Sequence, residues 1–436
     1  MTPPLNGNGS VSRRRFVAAA SAFVVPAVVP ASVFGRPGRP APSDRMNLGF
    51  IGMGKQNQFH LNVFGGSKEC QIVAVCDVDT TRREDAKKRV TDRYAKDGRS
   101  SDGVCETYVD FRELLGRDDI DGVVIATPDH WHAIPVIEAC KAKKDIYCEK
   151  PLTLNLHEAK VLIDCVRKHE RVFQTGSQQR SDEEFRKACS YVRSGRIGKI
   201  LEVYADVGGP SHPCDLPEEP MEPGLDWDRW LGPAPMRPYN SILSPRGVHN
   251  HYPNWRSYSE YSGGGMTDWG AHHFDIAQWG LGMDESGPVE VIPPEDPKSG
   301  RGVTFVYDNG VKLIHGGPGG ACFIGEKGVI LVNRGRLESI PGKLFDEPLK
   351  EGEDTILPKT KGHQQNWIDC VKSRERPICD VEVGARSVAV CHLGNLAYWH
   401  GRTLKWDPKA WEFPGDAEAN SWRDRERRDP YQLPAI

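Results

Sequence analysis

Gly49-Phe50-Ile51-Gly52-Met53-Gly54 closes an apolar stretch that opens at Asn47, and its glycines decide how the first half of the chain folds. Gly52 permits a tight turn after a strand, and Gly54 lets backbone N–H groups approach a pyrophosphate at the start of the next helix. A glycine turn between strand and helix opens a dinucleotide-binding βαβ unit. Asn57 stands where the third glycine of that fingerprint is usual, so the match is partial. The next apolar run, residues 71–76, leads to Asp77. That carboxylate is placed to bond a ribose 2′-hydroxyl and to repel a 2′-phosphate, which favours NAD; Arg82 and Arg83 keep NADP open.

Outward from this unit, strand-like and helix-like segments alternate. Strands are expected at 47–51, 71–76, 122–126, 145–148 and 171–174, and helices around 57–64, 80–94, 131–142 and 156–169. Continuous apolar strands and amphipathic helices predict an α/β Rossmann fold, a doubly wound parallel sheet. Two strands end on residues with chemistry. Asp145-Ile146-Tyr147-Cys148-Glu149-Lys150-Pro151-Leu152 delivers Glu149 and Lys150 to the carboxyl end of the sheet, where ligands bind. Thr127 and Pro128 follow the 122–126 strand and would border the nicotinamide ribose; Asp129 reads equally as a site residue or as the cap of the next helix.

After about residue 177 the pattern changes. Ser181-Asp182-Glu183-Glu184 has a capping-box pattern with Gly195 as the helix stop, and a strand is expected at 199–207. Hairpins are expected at 302–306 with 311–315, and at 323–324 with 329–332. The second domain is therefore α+β, with an open, mostly antiparallel sheet. A Pro- and Trp-rich insertion at 208–265 interrupts it, and loops of that length are usually functional. The boundaries read as 1–35 leader, 36–45 linker, 46–176 NAD-binding domain, 177–415 substrate and oligomerisation domain, and 416–436 C-terminal arm.

Within the second domain, a helix following Gly263-Gly264-Gly265 would put Asp268, His272 and Asp275 on one face. A carboxylate beside an imidazole raises its basicity, which suits a general base acting on a hydroxyl. An Asp/His metal site and a purely structural polar pair are the competing readings; no zinc spacing is present. Taken in order, the glycine loop, Asp77, Glu149-Lys150-Pro151 and Asp268-x-x-x-His272 resemble the glucose–fructose oxidoreductase / inositol dehydrogenase / MocA family. The resemblance covers residues 46–407. It implies Lys150 as a polarising or proton-relay group, His272 as base and Asp268 as its partner, with Arg180 and Asp275 lining the substrate pocket.

Composition agrees with such an enzyme. With 436 residues, 38% hydrophobic content and a net charge of −3, the chain has no basic excess for nucleic acid. Ser12-Arg13-Arg14-Arg15-Phe16 followed by an apolar run to Phe34 has the layout of a twin-arginine export signal, and Pro26 and Pro30 argue against a stable membrane anchor. The expected location is periplasmic or secreted. The twelve cysteines show no C-x-x-C pair and read as small buried hydrophobes. The expected activity is NAD(P)-dependent oxidation of a secondary hydroxyl on a sugar or cyclitol, by a homodimer or homotetramer. NAD-assisted glycoside hydrolysis without net redox change is the alternative, and a non-catalytic NAD-binding protein the third.

Overall fold

The computed structural model describes residues 44–99, 105–354 and 357–436; the expected export leader lies outside the described residues, as does all of the linker but Asp44 and Arg45. Six strands form one parallel sheet: β1 (Met46–Ile51), β2 (Cys70–Cys76), β3 (Glu106–Tyr108), β4 (Gly122–Ile125), β5 (Asp145–Cys148) and β6 (Phe173–Thr175). Their order is β3-β2-β1-β4-β5-β6. Every residue of β2, β4 and β5 is buried, as strands covered on both faces must be. The covering helices include α1 (Lys55–Gly66), α2 (Thr80–Lys96), α3 (Ala133–Lys141) and α4 (Leu156–Lys168). Asp79 starts α2 by accepting from the N–H groups of Thr81 and Arg82, and Asn155 starts α4 by accepting from that of Glu158. The strand order reverses between β1 and β4, which opens a crevice at their carboxyl ends.

Sequence periodicity does not predict β3. It is three residues long, its first residue is exposed, and pairing with β2 is what makes it a strand. The strand expected at 171–174 forms later, at Phe173–Thr175.

The second half builds an eight-stranded sheet from β7 (Ile200–Asp206), β8 (Glu290–Ile292), β9 (Thr304–Val306), β10 (Lys312–His315), β11 (Gly320–Gly325), β12 (Gly328–Asn333), β13 (Arg336–Ile340) and β14 (Leu404–Lys405). The order is β13-β12-β11-β7-β10-β9-β8-β14, antiparallel except where β7 meets β10. Helices α5 (Glu183–Arg193), α6 (Gly270–Leu281), α7 (His363–Ser373) and α8 (Val381–His400) accompany it. Ser181 does not cap α5. Its hydroxyl is taken by His363 Nδ1 at 2.9 Å, and the Asp182 carboxylate caps instead, accepting from Glu184 and Phe185 N–H. Residues Gly270 to Gly280 of α6 are buried all round, marking a central core helix.

The two sheets are not independent. Residues 46–436 form one compact unit. Trp367 of α7 inserts into the first layer against Phe64 and Tyr147, with ring centroids 5.7 and 5.9 Å apart. The insertion carries a short helix, Trp227–Leu231, and an aromatic core of its own in which Trp227 stacks on Trp230 at 4.7 Å. No cysteine is in a disulfide, and all but the half-buried Cys214 are buried.

Candidate active site

The glycine loop, the ends of β2, β4 and β5, and the start of α6 converge on one cleft of about 860 Å³. Gly52, Gly54, Asp77, Thr127, Pro128, Glu149, Lys150, Asp268 and His272 all line it. Arg180 and Asp275 do not.

At the floor, Gly52 takes φ of 81°, and a Cβ there would lie 2.9 Å from the Thr127 nitrogen. The turn therefore needs glycine for its own backbone. Gly54 is different: a Cβ would meet nothing within 4 Å and would point into open space. Space kept clear above a helix N-terminus fits a pyrophosphate. Asn57, the departure from the glycine fingerprint, is buried and donates to the carbonyls of Ile51 (3.1 Å) and Gly52 (2.7 Å), so it ties the loop down from below. Asp77 accepts from Met53 N–H at 2.6 Å and Asp79 N–H at 2.8 Å, and burial pushes its carboxyl up. Arg82 is spent on Ser244 Oγ (3.1 Å) and the carbonyls of Pro245 and Gly247, and Arg83 on the Asp77 carbonyl (2.8 Å). These bonds hold both guanidinium groups to the protein, and the Asp77 carboxylate at the end of β2 favours NAD.

Glu149 is buried under the middle of the cleft and accepts from His60 Nε2 (2.7 Å), Gln56 Nε2 (3.0 Å) and Gln178 Nε2 (2.9 Å). Burial pushes its carboxyl up, but the His60 hydrogen bond and charge outweigh it, and the group sits below its ordinary range. Beside it, Lys150, which precedes a cis peptide bond to Pro151, reaches across the cleft. Its Nζ donates to Asp268 Oδ1 at 2.7 Å and to the Asp268 carbonyl at 3.0 Å.

The expected Asp268–His272 pair does not form. The helix is interrupted at Trp269, between Gly265–Asp268 and α6, and Asp268 turns to Lys150 and to Arg256 Nε at 3.5 Å. A full cation attracts the carboxylate more than a neutral imidazole does. Burial opposes ionisation of Asp268, but the Lys150 and Arg256 charges hold it low. His272 Nδ1 is buried without a hydrogen-bond partner among the described residues. Burial first, then the charges of Lys150 and Arg334, push this imidazole well below its ordinary value, so the ring is neutral and is a weaker base than a free imidazole until a developing negative charge lies beside it.

Arg180 and Asp275, expected to line the substrate pocket, instead pair with each other away from the cleft. Arg180 is 1% exposed, with its Nε 2.9 Å from Asp275 Oδ2 and its Nη2 2.8 Å from Asp284 Oδ1. Ser387 Oγ donates to Asp275 at 2.6 Å. These groups form a network behind the cleft that joins α6 to α8 and lines no part of it. A helix face at i+7 leads the third carboxylate into the core, not into the crevice.

Several lining residues escape a motif search: Gln56, Tyr252, Arg256, Trp269, Arg334 and Tyr431. Tyr252 and Arg256 lie in the 208–265 insertion, whose length alone marked it as functional. Asp129 opens a short 3-10 turn, Asp129–Trp131, whose start has no side-chain cap. Asp129 itself is 2% exposed, lines the cleft, accepts from Ser262 Oγ at 2.6 Å, and burial pushes its carboxyl up to about 7. Among the described residues, no group of three side chains could hold a metal ion, and no helix is long and apolar enough to cross a membrane.

A parallel six-stranded sheet, a glycine turn that keeps pyrophosphate space clear and an acid at the end of β2 define an NAD-binding enzyme cleft. Two family models match the chain: the oxidoreductase family NAD-binding Rossmann fold over residues 46–177, and the oxidoreductase family C-terminal alpha/beta domain over residues 211–433. The chain belongs to the Gfo/Idh/MocA family of oxidoreductases. It is 24% identical to myo-inositol 2-dehydrogenase of Thermotoga maritima, over 83% of this chain and 98% of that one. It is 27% identical to a glycosyl hydrolase family 109 protein of Shewanella baltica, over 44% and 45% of the two chains. Among solved structures, scyllo-inositol dehydrogenase of Lactobacillus casei with bound NAD(H) and scyllo-inositol superposes with a TM-score of 0.53 at 16% identity, covering 83% and 99% of the chains.

Proposed function

We propose that the protein is an exported NAD-dependent dehydrogenase acting on a secondary hydroxyl of a sugar or cyclitol. The observation that carries this reading is the Lys150 Nζ, held at 2.7 Å by Asp268 across a cleft that His272 also lines. Bound NAD would supply the hydride acceptor, with Gly52, Gly54 and Asp77 holding it. The neutral His272 imidazole takes the proton of the reacting hydroxyl, and Lys150 stabilises the charge that develops on its oxygen. Asp268 positions Lys150, in place of the role beside His272 that sequence spacing suggested. Oxidation is tested by offering sugars and cyclitols with NAD and following reduced cofactor. Lys150→Met should lower kcat by about 10²- to 10³-fold. A protein that reduces neither added nor bound cofactor with any of them would sink the reading.

Export implies a cofactor loaded before translocation and regenerated in place, so protein recovered from the periplasm should carry bound nicotinamide nucleotide. Denaturing it and assaying the supernatant checks this. An empty protein counts against export. The open face of the eight-stranded sheet, with half-buried Ile200, Tyr204 and Ile324, supports a homodimer or homotetramer, which sedimentation would read.

A second reading draws on the likeness to glycosyl hydrolase family 109 proteins. Transient oxidation would be followed by loss of the glycosidic substituent and return of the hydride. Cleavage of an aryl glycoside with no net NADH would put this reading first.

A further inference from the structure

The cleft carries a basic side chain with no carboxylate of its own. Arg334 stands on the two-residue turn between β12 and β13, where Asn333 pairs with Arg336 and Gly335 takes φ of 68°. The sheet therefore fixes its Cα. Its guanidinium lies 4.9 Å from the centroid of the Trp269 ring, and its side chain makes no ion pair or hydrogen bond among the described residues. Trp269 is 42% exposed and meets the His272 ring edge-on at 5.9 Å. All three residues line the same cleft.

Arg334 stands apart from the other charges around it. Lys150, Arg256 and Arg334 line the cleft together with Trp269 and His272. Of the acids there, Asp268 is shared between Lys150 and Arg256, and Asp182 is spent capping α5. Glu149 takes three side-chain donors on Oε1 and the Lys150 N–H on Oε2. Asp129 accepts from Ser262 and, with its carboxyl pushed up to about 7 by burial, carries only part of a charge near neutrality. A stacked guanidinium keeps its planar fork of donors in one orientation, and that fork matches a carboxylate or a phosphate.

Resting on the oxidoreductase reading above, we infer that the substrate is an anionic sugar and that Arg334 is the specificity-determining residue that receives its carboxylate or phosphate. Trp269 then presents its open ring to the apolar face of the sugar while His272, next to it, meets the reacting hydroxyl.

The test uses the full NAD-loaded protein with D-glucose, D-glucuronate and D-glucose 6-phosphate. Calorimetric binding and kcat/KM are both read. At least one anionic sugar should exceed glucose by about tenfold or more in both, and the better of the two tells carboxylate from phosphate. Arg334→Gln should cut the anionic-to-neutral ratio by about tenfold or more, and Arg334→Lys should restore part of it. Glucose binding as well as both anions, or Arg334→Gln lowering all three alike, overturns the inference and leaves the oxidoreductase reading standing. Anion-selective binding with no oxidation of any sugar upholds Arg334 and sinks the oxidoreductase reading instead.

Discussion

Gly52 and Gly54 sit two residues apart in one turn and are glycine for different reasons. The first serves the protein's own backbone, because its φ of 81° and the Thr127 nitrogen leave no room for a side chain. The second serves whatever lies above it, because its Cβ would enter empty space. Gly52→Ala should therefore lose about 1–3 kcal/mol of stability in urea unfolding. Gly54→Val should keep its unfolding midpoint yet emerge without copurified nicotinamide nucleotide. If Gly54→Val binds NAD as the parent does, the pyrophosphate does not lie over this turn. Lys150 and Asp268 make a similar contrast with the sequence. The lysine was legible because a strand end before a proline points it at the crevice. Its pairing was not, because Asp268 chooses its partner by charge across 118 positions of chain and not by helical spacing.

The insertion at 208–265 bonds to both edges of the groove that the glycine loop opens. At one edge, Asp226 N–H donates to the Val78 carbonyl and Arg82 reaches Ser244, Pro245 and Gly247. At the other, Gln58 donates to the His249 carbonyl, Tyr252 OH donates to Gln56 Oε1, and Lys55 meets Asn250. Bonds to a charged donor are worth about 1.5–3 kcal/mol each. Arg82→Ala should therefore speed release of bound NADH by about tenfold or more, read as fluorescence decay on dilution into excess unlabelled nucleotide. An unchanged release rate would mean that the insertion does not close over the cofactor. The C-terminal arm packs on its own chain. Arg427 meets Glu158 of α4 at 2.9 Å with both side chains at 5% exposure or less, while Arg428 meets the exposed Asp228. Arg427→Ala leaves a buried carboxylate unpaired and should cost about 3–5 kcal/mol, against about 1 kcal/mol or less for Arg428→Ala. Equal effects in urea titration would overturn this account of the arm.

Buried histidines set how the whole molecule responds to acid. Burial pushes His363 and His392 down to about 4 and His130 to about 3. In the unfolded chain these groups bind protons below about pH 6.5, and in the folded protein they do not. The unfolded state therefore holds more protons, and stability is lost as pH falls below 6.5. Each such histidine contributes about 2 kcal/mol of loss at pH 5. Asp129, raised to about 7, acts in the opposite sense, gaining stability as pH falls from 7 towards 4, and offsets about one of them. Urea unfolding at pH 7.5 and 5 should show a net loss, and His392→Gln should reduce it by about 2 kcal/mol. A pH-independent midpoint would mean that these rings protonate in the fold.

By itself the sequence determined the parallel sheet, the glycine turn and the residues at the ends of β2, β4 and β5. Those features are written in local periodicity and in glycines within a few residues of one another. Tertiary structure alone decided which charges meet. It paired Lys150 with Asp268, sent Arg180 and Asp275 into the core and left Arg334 stacked on Trp269. It also made a strand of 106–108 and brought α7 back onto the first sheet. Each of these depends on contacts between residues far apart in the chain, where burial and charge override spacing.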